Sequence, residues 1–210
     1  MENDLKIISI NSQNWKEHEI VLKDICSLSE KDNTPASKNL NWKNWKNTSS
    51  SLMYSIVNKK RFDTGSYFIL LKNKIPISGS GCYISPWSND IMILGSRTWT
   101  NFNERKKWWQ GDYLLPEQFK EAKRLNVKAV VFTFNLYNEW LIKFLKRVKD
   151  KKAVTMGIKN SNFYNDLIFL DNAYNINNTK QKIAVKLISC SLKEFKQKYL
   201  PKEYNDTSVG

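Results

Sequence analysis

The sequence predicts an α+β fold: a mixed, mostly antiparallel central sheet flanked by helices, with a strand-helix extension at the C-terminus. Three observations carry this. Ile91 to Val148 reads as strand, turn, helix, strand, helix; two strand-like runs joined by a tight turn stand ahead of it; and helical patterns precede those. The chain has 210 residues, 41% of them hydrophobic and 26% charged. Those are globular values, and domains run to ~100–200 residues, so one core is expected.

In chain order, Asn14 to Leu28 is expected as an amphipathic helix that buries Trp15, Ile20, Val21 and Ile25. Lys31 to Asn47 reads as a loop, broken by Asp32, Asn33, Pro35 and Ser37. Inside it, Asn41-Trp42-Lys43-Asn44-Trp45-Lys46-Asn47 is an aromatic-basic patch with two readings. The indoles and ammonium groups suit a flat anionic ligand, or the indoles anchor a short helix onto the sheet. Thr48 to Asn58 forms the next helix, with Leu52, Met53, Ile56 and Val57 inward. Gly65 to Leu71 and Ile75 to Ser85 make a hairpin around Lys72-Asn73-Lys74. Gly79 and Gly81 alternate on one face, which implies a bulge there or a close approach to that surface by a substrate or a neighbouring helix.

Ile91 to Leu94 is a short apolar run, expected as a buried strand that continues to Arg97-Thr98-Trp99-Thr100. After a basic turn, Leu115, Phe119, Ala122 and Leu125 recur at helical spacing. Val127 to Phe134 is a second buried strand, and Asn135-Leu136-Tyr137-Asn138 opens a helix with Leu141, Phe144, Leu145 and Val148 on one face. A helix between two strands at these lengths places the strands parallel. Farther on, Ala153 to Ile158, Leu167 to Leu170 and Ile183 to Ser189 read as strands, and Asn172 to Lys180 as a polar loop. Leu192 to Tyr199 reads as a short helix followed by Pro201. The expected organisation is one domain over residues 1–204: a helical part at 1–62, the core at 65–171, a C-terminal strand and helix at 181–200, and a disordered tail at 205–210.

The formal net charge is +14, which raises encounter rates with anions such as a phosphorylated cofactor or nucleic acid without choosing among them. His18 is the single histidine, so a Ser-His-Asp triad or a multi-histidine metal centre would have to use it, and no metal site is expected. Cys26, Cys82 and Cys190 are odd in number and widely spaced, so reduced thiols are expected. No apolar run approaches the ~20 residues that cross a bilayer, and residues 1–6 lack a signal-peptide core. A soluble, cytoplasmic protein is the expectation, with no membrane partner.

The order of elements from residue 65 to 170 resembles the GNAT acyltransferase superfamily. In that family a strand holds the pantetheine arm of an acyl-CoA, and a turn of the form Arg/Gln-x-x-Gly-x-Gly/Ala binds the diphosphate at the start of a helix. Arg105 falls at the first position of that turn, and Glu121-Ala122-Lys123-Arg124-Leu125 falls at the last turns of the helix. The resemblance implies acetyl transfer from acetyl-CoA, or another acyl-CoA, to the amine of a small molecule or peptide. It implies a cleft where the strands at Arg97 and Phe134 splay apart. Backbone around Ser96, Arg97, Thr98 and Trp99 would hold the cofactor, with Arg105, Gly111, Asn135 and Asn138 as further contacts. Glu104 is the nearest carboxylate for a base and Tyr137 a hydroxyl for an acid. Two departures stand beside the match. Trp108 and Gln110 occupy the glycine positions of the turn, and Leu145 or Ile142 stands where many members carry a proton-donating Tyr. Losing two charge-assisted amide bonds to phosphate, at ~1.5–3 kcal/mol each, weakens binding by about two to four orders of magnitude. The other reading is a GNAT-shaped binding module that turns its basic, Trp-rich surface toward nucleic acid or a protein.

Overall fold

The computed structural model describes residues 4–30, 64–105, 107–134, 139–149, 161–176, 179–201 and 203–204. The expected patch at 41–47, helix at 48–58, strand at 153–158 and tail at 205–210 lie outside them. The strands are β1 (Leu5–Ile10), β2 (Gly65–Lys72), β3 (Ile75–Ser85), β4 (Ser88–Thr100), β5 (Ala129–Phe134), β6 (Ile168–Ile176), β7 (Thr179–Leu187) and β8 (Glu203–Tyr204). They form a mixed sheet in the order β1-β2-β3-β4-β5-β7-β6-β8. The helices are α1 (Glu19–Glu30), α2 (Leu115–Arg124), α3 (Glu139–Arg147), α4 (Ser161–Asn165) and α5 (Leu192–Glu194). None of the described helices is long and apolar enough to cross a membrane. The chain divides into two compact units, residues 1–83, 95–118 and 207–210 in one, and 84–94 and 119–206 in the other.

In the first unit, β1 corrects the expectation of a purely helical N-terminal part. Leu-Lys-Ile-Ile-Ser-Ile pairs antiparallel with β2, from Leu5 opposite Lys72 to Ile10 opposite Tyr67. Its isoleucines suit a pleated, half-buried surface, and β2 supplies the ladder they need. The helix starts at Glu19, later than the expected Asn14, because Asn14 is engaged elsewhere. Its side chain accepts from the Asn11 amide at 2.8 Å and donates to the Ser9 carbonyl at 3.0 Å, tying the chain to the end of β1. Residues 15–18 then wind as a 3-10 turn. Leu22 and Ile25 of α1 join Ile10, Tyr67, Ile69, Leu71 and Trp99 in the core of this unit. Ile20, expected inward, is 77% exposed, because the adjacent Val21 holds the core-facing position and a helix turns about 100° per residue.

The β2–β3 hairpin forms as expected, with Lys72 opposite Ile75. Asn73 and Lys74 both have positive φ, 52° and 67°, as the tightest hairpin turns require. The group that approaches Gly79 is neither substrate nor helix. A Cβ there would lie 2.5 Å from the Tyr67 hydroxyl, so the neighbouring strand's own tyrosine occupies that space.

In the second unit, β4 and β5 run parallel over four residue pairs, from Ile91 opposite Ala129 to Leu94 opposite Phe132. α2 ends on Asn126, whose φ of 53° makes a left-handed cap, and the Val127 amide returns to the Ala122 carbonyl at 3.2 Å. Leu145 and Val148 are buried as their spacing requires. The expected polar loop at 172–180 is corrected: β6 runs to Ile176 and β7 begins at Thr179. Their ladder satisfies backbone groups that local composition alone would have left to water. β7 also pairs antiparallel with β5, from Ala129 opposite Leu187 to Phe134 opposite Lys182. Phe163 of α4 meets Phe119 and Phe132 edge-on, with ring centres 5.1 and 6.1 Å away, which packs α4 beside α2 and β5. Ser191 caps α5 by accepting from the Glu194 amide at 3.1 Å.

Candidate functional site

The predicted site residues on β4 lie on a bulge. The parallel ladder stops at Leu94, and the next residues take conformations that a regular strand does not allow: Gly95 has φ 74° and Arg97 φ 52°. Glycine adopts this freely, whereas an arginine there costs about 1–2 kcal/mol, so surrounding contacts must hold it. They are present in the same unit. The Tyr67 hydroxyl donates to the Arg97 carbonyl at 2.9 Å, and Gly79 makes room for that ring. The Gly95 amide donates to Oε1 of Gln118 at 3.0 Å, and the Thr98 hydroxyl donates to the Gly95 carbonyl at 2.8 Å.

A ladder of hydroxyls backs the bulge. Each hydroxyl has one proton, so the order of donation follows from the partners. Thr98 gives its proton to Gly95, so Ser80 must donate to Thr98, at 2.9 Å. Ser78 gives its proton to the Trp99 carbonyl at 2.9 Å, so Thr100 donates to Ser78, and Gln110 donates to Thr100 at 2.9 Å. Ser78, Ser80 and Gln118 are buried, and buried polar groups are kept only when paired in this way. Gln118 and Tyr67 were not singled out from the sequence. Gln118 had a signal: it is a polar residue between Leu115 and Ala122 on the buried face of α2.

Of the expected β4 contacts, Ser96 is buried, and Thr98 serves the bulge through its hydroxyl. The Trp99 side chain is 3% exposed and belongs to the core, so only its backbone can face a ligand. Its indole N–H is buried without a hydrogen-bond partner among the described residues.

The turn after β4 is built differently. Phe102–Glu104 is a 3-10 turn, and Gln110–Leu114 is a wide π turn that leads into α2. Gly111 was expected as a cofactor contact in the turn. It is instead buried inside the helical winding, and none of the described residues from Arg105 to Gly111 has positive φ, so the alternating backbone of an amide nest is absent among them. Side chains dominate. The Arg105 guanidinium lies 5.4 Å from the Phe102 ring, with its Nε donating to the Thr100 carbonyl at 3.3 Å. Lys107 lies 5.0 Å from the ring of Trp109, whose indole donates to the Glu104 carbonyl at 2.9 Å. The Glu104 carboxylate is held by Lys72 at 2.8 Å. A base at this position would have to give up that pair. Tyr137, Asn135 and Asn138 lie outside the described residues.

The described thiols are Cys82, buried, and Cys190, partly buried. Burial raises the pKa of the Cys190 thiol, with the Glu194 carboxylate adding to the effect. Glu194 is itself held below the usual carboxylate range by a hydrogen bond from Lys198.

No protein-family model matches this sequence, and no curated protein matches it in sequence. Solved structures do match in shape. A PaiA N-acetyltransferase from Thermoplasma acidophilum in complex with coenzyme A is 12% identical, with 88% of this chain and 99% of that chain covered, at a TM-score of 0.51. An acetyltransferase from Thermus thermophilus is 9% identical, with 88% and 97% covered, at 0.51. A GNAT-family acetyltransferase from Streptococcus pneumoniae is 14% identical, with 88% and 100% covered, at 0.50. The chain has the GNAT fold.

Proposed function

We propose that this chain is an acyl-CoA-dependent N-acyltransferase that moves an acetyl group from acetyl-CoA to the amine of a small molecule or peptide. The observation that carries the reading is the β4 bulge. Immediately after its parallel pairing with β5 ends, β4 passes through left-handed Gly95 and Arg97, fixed by bonds to Gln118, Thr98 and Tyr67. A bulge interrupts the ladder and leaves backbone unpaired, and bulges are over-represented beside active sites. The coenzyme A complex of a protein with this fold supports the same ligand class.

The fit to an acyl-CoA has two parts. Backbone of Ser96, Arg97, Thr98 and Trp99 suits the amide-bearing pantetheine arm. The Arg105 to Gly111 turn suits the phosphates through its cations and not through an amide nest. Acyl-CoA supplies the activated acyl group. The chain's own residues orient the arm, and amides of the bulge stabilise negative charge on the carbonyl oxygen. The amine nitrogen bonds to the acyl carbon as the carbon–sulfur bond breaks, and the amine's proton leaves through a base while the thiolate takes up a proton. Glu104, once released from Lys72, and Tyr137 are the proposed groups for these transfers, and Asn135 and Asn138 are proposed cofactor contacts.

A second reading, a non-catalytic binding module for nucleic acid or a protein, is favoured by a different observation. The Gly95 amide is already bonded to Gln118, and the described turn lacks the left-handed positions of a phosphate nest. Thermal unfolding with acetyl-CoA separates the two. A ligand at a hundred times its Kd stabilises by about 2.7 kcal/mol, roughly 5–11 °C for a chain of this size. That rise, together with thiol release in the presence of an amine, supports the enzyme. An unmoved midpoint at millimolar acetyl-CoA, with salt-sensitive retention of polynucleotide, supports the binding module.

A further inference from the structure

A second place in the first unit holds two opposite charges that acyl transfer does not use. A cavity of about 270 Å³ lies between α1 and the β2–β3 turn, lined by Asp24, Ser27 and Leu28 from the helix and by Lys74, Ile75 and Pro76 from the turn. The three helix residues share one face because they stand three and four positions apart. Both walls are fixed. Leu22 and Ile25 root the helix in the core, and the turn is tied to the residue ahead of β1: the Asn73 amide donates to the Asp4 carbonyl at 2.9 Å, and the Asp4 amide donates to Oδ1 of Asn73 at 3.2 Å. Neither Asp24 nor Lys74 has an ion-pair partner among the described residues. Lys74 has φ 67°, at the hairpin position that glycine fills without strain, so the chain holds a cation where the turn itself favours no side chain. Ile75 beside it is 57% exposed.

We infer that this cavity binds a small zwitterion, a free amino acid with an apolar side chain: its ammonium on Asp24, its carboxylate on Lys74, and its side chain against Leu28, Ile75 and Pro76. The two charges come from opposite walls, and a guest with one charge or none would displace water from both while pairing with only one or neither. Ser27 adds a hydroxyl that donates or accepts. Pockets for drug-sized ligands run to ~300–1,000 Å³, so this volume suits a smaller molecule. An ammonium held by a carboxylate keeps its proton and is no nucleophile. The cavity is therefore a site of recognition and not of acyl transfer, and it stands independently of the acyl-CoA reading.

Titration of the full chain with L-leucine, followed by backbone amide resonances, tests it. Saturable shifts are expected at Asp24, Ser27, Leu28, Lys74 and Ile75. Isocaproate, which lacks the amine, and isoamylamine, which lacks the carboxylate, should each bind about ten-fold more weakly or worse, the loss of one hydrogen bond between charged groups. Lys74→Gly should lose leucine by a similar factor and yet raise the melting temperature, since glycine adopts the left-handed turn freely. Binding lost by a more stable protein is not a folding defect. Asp24→Asn should weaken leucine likewise and leave isocaproate unchanged. No saturable shift at these residues with leucine at tens of millimolar overturns the site. So does binding of either analogue as tight as that of leucine, or a leucine affinity unmoved by Lys74→Gly. Each of those results leaves the acyl-CoA reading standing.

Discussion

The β4 bulge and the turn that follows it lie within one compact unit, and they are built on opposite principles. The bulge is half-buried, and its shape is over-determined: Gln118, Thr98 and Tyr67 bond the backbone on either side of Ser96, and a hydroxyl ladder supports them from β3. The turn is more exposed and is shaped by side chains, with cations resting on Phe102 and Trp109. A strained backbone needs partners that cannot move away, so its geometry is fixed before any ligand arrives. A side-chain seat needs no strain, and it is tuned by substitution without disturbing the fold.

Mutations should therefore cost far more at the bulge than at the turn. The largest effect is expected at Gly79, where a Cβ would meet the Tyr67 hydroxyl at 2.5 Å and ring atoms at 2.9 and 3.0 Å. Gly79→Ala should lower stability by about 2–3 kcal/mol in urea denaturation, the scale of overpacking a tight core. The loss should shrink when Tyr67→Phe is combined with it, because the nearest clash is with the hydroxyl. Gln118→Met keeps the volume but removes the acceptor of the Gly95 amide, and should cost about 1–3 kcal/mol, the penalty for a buried unsatisfied group. At the turn, Lys72→Met or Glu104→Gln breaks a pair whose side chains are 26% and 23% exposed, and should cost less than about 1 kcal/mol. Equal losses at bulge and turn would erase the distinction.

The smallest effect concerns Cys190. Its raised pKa lowers the thiolate fraction at a given pH, so at pH 8 it should alkylate more slowly than an unhindered thiol, and the difference should close as pH rises through its pKa. Replacing Glu194 with Gln removes one cause of the shift and should speed the reaction slightly.

Much of the architecture was legible because periodicity and turn chemistry report it directly. The β2–β3 hairpin followed from Lys72-Asn73-Lys74, and the parallel pair followed from the apolar runs at Ile91 and Ala129 with an amphipathic helix between them. β1 and the outer half of β6 were missed because their conformation comes from a partner strand and not from their own composition: Leu5–Ile10 leans on β2, and Tyr174–Ile176 on β7. The site was legible in part. Gly95 announces a break in a strand, but nothing local to Arg97 says that it turns left-handed. That is decided by Tyr67, thirty positions earlier in the chain, and by the absence of a side chain at Gly79.

The most direct test follows backbone amide resonances while acetyl-CoA is titrated in. The account predicts saturable shifts centred on Ser96, Arg97 and Thr98, with Phe102 to Lys107 responding over the same concentration range. Saturable shifts elsewhere on the protein while the β4 bulge stays unmoved, or no shifts at millimolar acetyl-CoA, would contradict it.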